Sequence, residues 1–414
     1  MRNVVKRLPA NSSPSSLNMK FRHSIIAAWL CHASLVFGQA QAQPGDDYQT
    51  TGVRDNLPAF AAALKSRLTF PMAWTPRVKD LPAWRAAGRA KLWELSLQAP
   101  DGTPFEPRVI AEIDRGSYVA RKVVFNVTAD SRVLGLLLVP KGKGPFPAAL
   151  MLHDHGARFD IGKEKLIEPW GDAATLATAR AWSDKYFSGR FPGDALARRG
   201  YVVLAVDALG FGDRGPMMAD AQQALAANSF NLGSSVAGLM ALEDARAAEL
   251  LASHPAVARG KVAAVGFSMG GFRAWQVAAL SDAVSAFVVV NWMATTEGLM
   301  VPGNNQLKGS SAWMMLHPGL VRYLDFPDVA SLAAPKPALF FAGEGDRLFP
   351  AASARAAFAR MAPVWAAWKA ADRFEARMLP GGHEFTQPAQ DAAFDWLDVQ
   401  MSGAGEQRKM NNGR

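Results

Sequence analysis

The sequence predicts an α/β protein built on a doubly wound, mostly parallel sheet. Several short segments are continuous runs of Val, Leu and Ala, a composition typical of strands that are covered on both faces. In the second half of the chain these runs alternate with helix-compatible segments, which is the pattern of a parallel sheet flanked by helices. The earliest strands follow one another closely and are expected to be antiparallel. The chain has 414 residues, 50% of them hydrophobic, which is enough for one large core.

The elements are expected as follows. Strands are predicted at Arg108–Ile113, Val119–Val127, Val133–Val139, Ala148–His153, Tyr201–Val206, Val262–Gly266, Ala286–Val290, Ala338–Ala342 and Phe374–Met378. Helices are predicted at Leu57–Leu68, Leu81–Leu97, Gly193–Arg199, Ser229–Ser253, Gly271–Leu280, Ala351–Ala370 and Pro388–Met401, where apolar residues recur at helical spacing. The first two helices precede the strands, and we expect them to pack against the main domain.

A Gly-x-Ser-x-Gly motif centred on Ser268 lies between a predicted strand and a predicted helix. That context indicates a sharp turn that lifts the serine hydroxyl clear of the strand as a nucleophile. Gly266 and Gly270 are expected in the turn because Cβ atoms there would collide in so tight a reversal. Free N–H groups at the start of the following helix favour negative charge beside the serine.

An exposed serine needs a base, and the base needs a carboxylate that orients it. The strand predicted at Ala338–Ala342 is followed by a Gly-rich turn that contains Glu344 and Asp346. We expect Asp346 to be the acid because it lies deeper in the turn, with Glu344 as the alternative. His383 follows the next strand and is the expected base. The order serine, aspartate, histidine is the one expected of this architecture.

The oxyanion of a tetrahedral intermediate needs backbone donors. We expect the N–H groups of Met269, directly after the nucleophile, and of Ala157, in the loop after the strand predicted at Ala148–His153. Trp292 and Phe159 lie in loops that follow two of the predicted strands. We expect both side chains to bind substrate by walling the pocket, with packing in the core as the alternative.

No metal or cofactor is expected. His153 and His155 have a chelating spacing, but no further ligand pair follows nearby, so they are expected to fix their own loop by hydrogen bonds. Gly210–Gly215 matches a dinucleotide-binding pattern. Pro216 follows it in place of a helix, and the acidic residue expected further along is missing, so the segment is expected to be a plain turn.

The N-terminus has the features of an export signal. Lys20 and Arg22 precede an apolar run, and small residues at 40–42 offer a cleavage site before Gln43. The run is short for a bilayer span, so a membrane anchor is the less favoured alternative. We therefore expect a periplasmic or secreted protein, translated from Met1 or from Met19.

Charge and cysteine content exclude several classes of protein. The formal charge is +9, and residues 1–42 contribute five basic and no acidic residues, so +9 − 5 leaves +4 on the remainder, which gives no indication of nucleic-acid binding. The single cysteine, Cys31, lies in the predicted signal. A mature chain would then have no disulfide and no thiol nucleophile.

The motifs make the chain resemble an α/β-hydrolase, and more narrowly the secreted dienelactone-hydrolase-related and acetyl-xylan-esterase-like group. The matching segments are His153–Gly156, Asp207–Gly212, Gly266–Gly271, Asp325–Asp328, Ala334–Pro337, Gly343–Pro350 and Gly382–His383. Dienelactone hydrolases are known for a cysteine nucleophile, whereas this chain has Ser268, which favours ordinary ester chemistry. Prolyl-oligopeptidase-type peptidases have a similar catalytic half and a long propeller domain, which the short segment before the strands is expected not to accommodate.

The resemblance implies a serine esterase that acts on a small-molecule ester, such as a short acyl or sugar ester. A small peptidase or amidase is the second hypothesis, and a catalytically silent binding protein of the same fold is the third. The simplest division is a signal over residues 1–42, a helical extension over 43–106, a catalytic domain over 107–401 and a flexible basic tail over 402–414. The sequence does not indicate the oligomeric state.

Overall fold

The computed structural model of the chain describes residues 62–301 and 310–401. Its strands are β1 (Arg108–Asp114), β2 (Tyr118–Thr128), β3 (Ser131–Pro140), β4 (Phe146–Leu152), β5 (Val202–Val206), β6 (Val257–Phe267), β7 (Ala286–Val290), β8 (Ala338–Gly343) and β9 (Phe374–Leu379). Its helices are α1 (Leu81–Ser96), α2 (Ala173–Tyr186), α3 (Pro192–Arg198), α4 (Ala219–Asn231), α5 (Val236–Ser253), α6 (Met269–Leu280), α7 (Thr296–Leu299), α8 (Phe326–Ser331), α9 (Ala351–Ala367) and α10 (Gln387–Met401).

The strands form one nine-stranded sheet in the order β1-β2-β3-β5-β4-β6-β7-β8-β9. The pairs from β1 to β5 are antiparallel, and the pairs from β5 through β4 to β9 are parallel. The predicted antiparallel start and mostly parallel remainder are therefore confirmed. Parallel strands end at one edge of the sheet, where ligands bind in open α/β sheets.

Helices cover both faces of the sheet. One buried cluster joins the sheet to α1, α5, α6, α8 and α9, and a second joins its other face to α2, α3 and α10. Neighbouring residues of the central strands alternate between the clusters, as Ala264 and Val265 do on β6. This burial on both faces explains why those strands are continuous apolar runs in the sequence.

Helix α1 packs on the rest of the fold, as expected. Leu92 is fully buried, and Arg89 Nε donates a hydrogen bond to the Ala279 carbonyl at 2.5 Å. A Cβ on Gly88 would lie 2.4 Å from a Leu332 methyl group. Of the preceding predicted helix, the described part is helical over residues 62–65, and the rest lies outside the described residues, as do the predicted signal and the basic tail.

One expectation about helices is wrong. The segment predicted as one helix over Ser229–Ser253 contains the end of α4 and the whole of α5, because Gly233 adopts a φ of +76°. The Oγ of Ser235 then caps α5 by accepting the Gly238 N–H at 3.0 Å. Helix α2 was not predicted, although the Asp172 carboxylate caps it by accepting the Ala174 N–H at 3.0 Å. Among the described helices, none is long and apolar enough to cross a membrane.

Candidate active site

Ser268 stands in a sharp turn between β6 and α6. Its φ is +56° and its ψ is −127°, a conformation that L-residues rarely adopt and that is found at functional sites. A Cβ on Gly266 would lie 1.9 Å from the Gly270 carbonyl oxygen, and one on Gly270 would lie 1.9 Å from the Leu152 carbonyl oxygen. The turn therefore requires both glycines, and it is pressed against the end of β4.

The structure brings Ser268, His383 and Asp346 into one hydrogen-bonded chain. The Oγ of Ser268 lies 2.8 Å from Nε2 of His383, and Nδ1 of His383 lies 2.8 Å from Oδ2 of Asp346. An ionised carboxylate only accepts hydrogen bonds, so Nδ1 carries the proton. Nε2 is then left free to accept the serine hydroxyl proton, which is the arrangement that general-base catalysis needs.

Asp346 is fixed from its other side by the backbone. Its Oδ1 accepts the Leu348 N–H at 2.8 Å and the Phe349 N–H at 3.3 Å, and its side chain is 1% exposed. Glu344 instead faces solvent, where it pairs with Arg355. Of the two candidate acids, the structure therefore places Asp346, and not Glu344, beside the imidazole.

The imidazole of His383 lies between two aromatic rings. The Phe267 ring is centred 4.9 Å away, and the Phe349 ring stacks on it at 5.8 Å. The His383 side chain keeps 18% of its surface exposed. These contacts restrict the ring to one orientation while leaving one side open to a substrate.

The loop after β4 is held by a buried histidine. The Nε2 of Gln222 donates to the Met217 carbonyl at 3.0 Å, so the Oε1 of Gln222 is left to accept from Nε2 of His155 at 2.8 Å. Nδ1 of His155 therefore lacks a proton, and it accepts the Ala157 N–H at 3.2 Å. Burial lowers the pKa of His155 to about 4, which keeps the ring neutral.

The hydrogen bond from the Ala157 N–H to His155 bears on the expected oxyanion donors. The Ala157 N–H is directed at His155 and not at free space beside the nucleophile, because the buried imidazole offers it an acceptor. The role predicted for Ala157 therefore does not match the resting arrangement of the loop. Met269 is the first residue of α6, where the N–H has no acceptor within the helix.

His153 also holds its own loop, as expected. Its Nε2 accepts the Ala208 N–H at 2.9 Å, and its Nδ1 donates to the Asp154 carbonyl at 2.9 Å. Burial lowers the pKa of His153 well below its ordinary value. The imidazole is thus a neutral bridge between the ends of β4 and β5.

The two aromatic residues expected to wall the pocket are in the core, so that expectation is wrong for both. Trp292 is fully buried and packs against Phe272 and Phe349 at 5.1 and 5.2 Å between ring centroids. Phe159 is 5% exposed and packs against Phe211 at 5.6 Å.

Three carboxylates, Glu164, Asp207 and Asp213, lie close enough together to serve as metal ligands. The Nζ of Lys163 lies 2.8 Å from the first and 2.6 Å from each of the others. Burial alone would lower the pKa of Lys163, but the neighbouring carboxylates outweigh it and raise that pKa. The ammonium group therefore supplies the positive charge at this cluster.

An open groove of about 590 Å³ runs between the loop after β4 and α2. It is lined by Gly156, Ala157, Arg158, Ala177, Thr178, Ala181, Trp182 and Lys185. From Trp182, aromatic contacts continue through Tyr186 and Phe267 to His383, with centroid separations of 4.4, 6.1 and 4.9 Å. A continuous line of aromatic contacts therefore connects the groove to His383.

Gly210–Gly215, which matches a dinucleotide-binding pattern, forms a short turn over Gly212–Arg214, as expected.

Comparison with known proteins agrees with this architecture. A family model described as "Abhydrolase family" matches residues 49–377, a range that includes Ser268 and Asp346 and ends before His383. YtaP of Bacillus subtilis (strain 168), named as an inferred hydrolase, is 28% identical over 314 residues, which is 76% of this chain and 98% of that protein.

Two solved structures show the same fold. An inferred acetyl xylan esterase from Bacteroides fragilis NCTC 9343 is 18% identical, with a TM-score of 0.64 over 82% of this chain and 84% of that one. A glucuronoyl esterase from Solibacter usitatus is 14% identical, with a TM-score of 0.57 over 81% of this chain and all of that one (100%). At such identities the likeness establishes the α/β-hydrolase fold and nothing about the substrate.

Proposed function

The chain belongs to the abhydrolase family, and from that premise we propose that it is a serine esterase that cleaves short acyl or sugar esters through an acyl-enzyme. The observation that carries the proposal is the continuous hydrogen-bonded chain from Ser268 through His383 to Asp346. A serine, a base and an orienting carboxylate at these distances form the machinery for nucleophilic catalysis at a carbonyl.

In the proposed reaction the Oγ of Ser268 attacks the ester carbonyl carbon while Nε2 of His383 takes the hydroxyl proton. His383 returns that proton to the leaving alcohol, and Asp346 stabilises the imidazolium that forms between the two steps. Water then attacks the acyl-enzyme. His383 takes a proton from the water and returns it to the Oγ of Ser268 as the carboxylic acid leaves. All the acid–base chemistry is done by side chains, so the reaction needs no cofactor.

Negative charge on the tetrahedral intermediate is held by the N-terminus of α6. The Met269 N–H is one donor, and the aligned peptide groups of a helix start add a favourable field. A second donor has to come from the loop after β4. The Ala157 N–H can serve only if it leaves His155 as the substrate binds.

The segment before the sheet, in the part that the structure describes, gives no indication of an acidic group near Ser268 that could hold the amino end of a peptide, so we favour ester substrates. Related peptidases hold the amino end of a substrate with acidic groups, whereas Arg89 on α1 is basic and contacts Ala279. That contact is at the far end of α6 from Ser268, roughly 15 Å away at the helical rise of 1.5 Å per residue. Similarity to proteins named as acetyl xylan and glucuronoyl esterases supports the same choice by analogy.

The proposal is tested by comparing kcat/KM for p-nitrophenyl acetate and acetylated sugars with kcat/KM for a panel of aminoacyl anilides. Ser268→Ala provides the background rate. We expect the acetyl esters to be cleaved far faster, because an alkoxide or phenoxide leaves more readily than an amine. A preference for an anilide would indicate a peptidase, and no turnover of either class would indicate a binding protein.

We propose further that residues 1–42 direct export, so that the mature protein acts in the periplasm or outside the cell. The basic residues, apolar run and small residues of the N-terminus support this proposal.

A further inference from the structure

Asn291 has no role in the reaction proposed above. It lies where the segments that carry Ser268, Asp346 and His383 meet. It directly follows β7, with a φ of +53°, and it is 3% exposed. Its backbone N–H donates to the Phe341 carbonyl on β8 at 2.8 Å, while the preceding Val290 carbonyl accepts the Ser268 N–H at 2.9 Å. Asn291 is therefore linked through the backbone to the nucleophile turn on one side and to the strand that leads to Asp346 on the other.

The side-chain amide of Asn291 makes three more hydrogen bonds. Its Nδ2 donates to the carbonyls of Gly382 and Glu384 at 3.1 and 2.9 Å, which are the residues on either side of His383. Its Oδ1 accepts the Gly343 N–H at 2.8 Å. Because two partners are carbonyls and the third is an N–H, only one orientation of the amide satisfies all three.

We propose that Asn291 is a positioning residue that sets the His383 loop at the correct distance from both Asp346 and Ser268. This inference rests on the proposed function, because it assigns a role in the same catalytic chain. Other bonds join the two loops further back, from the Glu344 N–H to the Leu379 carbonyl at 2.9 Å and from the Gly345 N–H to the Gly381 carbonyl at 2.8 Å. Asn291 bonds to the carbonyls of the two residues next to His383 in the chain.

The position restricts the residue type on two independent grounds. A positive φ is tolerated by Gly and by Asn or Asp, and it is unfavourable for branched or bulky residues. The three partners need two donors and one acceptor from a single short side chain. Asp keeps the shape and the backbone preference, but its second oxygen would face the carbonyls of Gly382 and Glu384 without a proton to donate.

Loss of the two donated bonds should act on turnover and not on substrate affinity. The side-chain amide of Asn291 is bonded to Gly382, Glu384 and Gly343 within the protein, so its loss should act through the His383 loop. Releasing the peptide groups on both sides of His383 lets the imidazole move relative to the serine. A displacement of about 1 Å in a catalytic group can cost about 10²-fold in rate.

The test compares Asn291→Asp with the matched control Asn126→Asp. Asn126 also makes three side-chain hydrogen bonds, to Pro104, Glu106 and Arg132, but it joins β2 and β3 to the segment before β1, away from the proposed site. We expect Asn291→Asp to lower kcat for p-nitrophenyl acetate by about 10²-fold with KM nearly unchanged. Asn126→Asp should keep the wild-type kcat. Both variants are to be checked for folding by circular dichroism.

Crystal structures of the wild type and the Asn291 variant give a readout that does not depend on activity. We expect the distance from Nε2 of His383 to Oγ of Ser268 to lengthen beyond hydrogen-bonding range, about 3.5 Å. If the wild type neither hydrolyses esters nor reacts with a serine-directed probe, the proposed function fails, and this distance still decides the positioning role. If Asn291→Asp does not fold, Asn291→Gly, which accepts the positive φ, takes its place in both measurements. A folded variant with wild-type kcat, or one that leaves His383 in place, would overturn the inference.

Discussion

Two acids that stand two positions apart, Glu344 and Asp346, show how local context separates a candidate catalytic group from a surface group. Both lie in the Gly-rich turn after β8, and the sequence favours Asp346 only through its depth in that turn. In the structure Asp346 accepts two backbone N–H groups and bonds to His383, whereas Glu344 is exposed and pairs with Arg355. A carboxylate fixed in this way can orient an imidazole, while a solvated one contributes little.

We therefore predict different results for the two amide substitutions. Asp346→Asn should lower kcat by about 10³-fold or more, because an amide can present the wrong partner to Nδ1 of His383 and stabilise the wrong tautomer. Glu344→Gln should change kcat by less than about 2-fold, since exposed ion pairs are worth little. Steady-state kinetics on one ester substrate decide between them. A severe effect at Glu344 with a mild one at Asp346 would transfer the role of the acid to Glu344.

The expectations that do not match the resting structure depend on contacts between distant segments. Trp292 follows a strand at the edge where ligands bind in open α/β sheets, and an aromatic side chain there fits a pocket wall as well as a core. The choice is made by Phe272 and Phe349, which reach it from other elements. Likewise, the Ala157 N–H is engaged by an imidazole whose tautomer is set by Gln222 on α4, and no local pattern carries that information.

At the scale of elements, the turn from β6 to α6 is the part most fully specified by local sequence. Its two glycines were expected from the tightness of the reversal, and the structure shows the reason in distances to backbone atoms, which cannot move aside as side chains can. The break between α4 and α5, in contrast, depends on a single left-handed glycine in an otherwise helical pattern. A glycine in that context is compatible with either a continuous helix or a break.

The turn gives a prediction for a glycine substitution. Gly270→Ala places a Cβ against the Leu152 carbonyl oxygen, so we expect the free energy of unfolding to fall by more than about 3 kcal/mol, the upper end of ordinary overpacking. Gly102→Ala is the control, because nothing lies within 4 Å of its added Cβ, and it should stay within about 0.5 kcal/mol of wild type. Urea denaturation followed by tryptophan fluorescence measures both. Equal stability of the two variants would mean that the turn is looser than described.

At the scale of the whole molecule, the sequence predicts the strands, their antiparallel start and their parallel remainder, because each strand carries its own burial pattern. The order of the strands across the sheet does not follow from such patterns. It places β4 between β5 and β6 and so brings the loop after β4 against the nucleophile turn. The meeting of Ser268, Asp346 and His383 was predictable because all three follow parallel strands, whose ends share one edge of the sheet.

The order of the strands also explains how Asn291 can contact several segments of the candidate site. It follows β7, the strand that lies between the strand before Ser268 and the strand before Asp346. A short polar side chain at that point can reach both the acid loop and the histidine loop. Its proposed role depends on the order of the strands, and for that reason the sequence alone does not assign it.

The central claim is that Ser268 is the nucleophile of a serine hydrolase, and covalent labelling tests it most directly. The purified protein is treated with a serine-directed fluorophosphonate, and the adduct is located by peptide mass spectrometry, with Ser268→Ala as the matched variant. Hydrogen bonding of the Ser268 hydroxyl to His383 predicts a single adduct on Ser268 in the wild type and none in Ser268→Ala, together with a loss of about 10³-fold or more in turnover. An unlabelled wild type, an adduct on another residue, or a fully active Ser268→Ala would contradict the account.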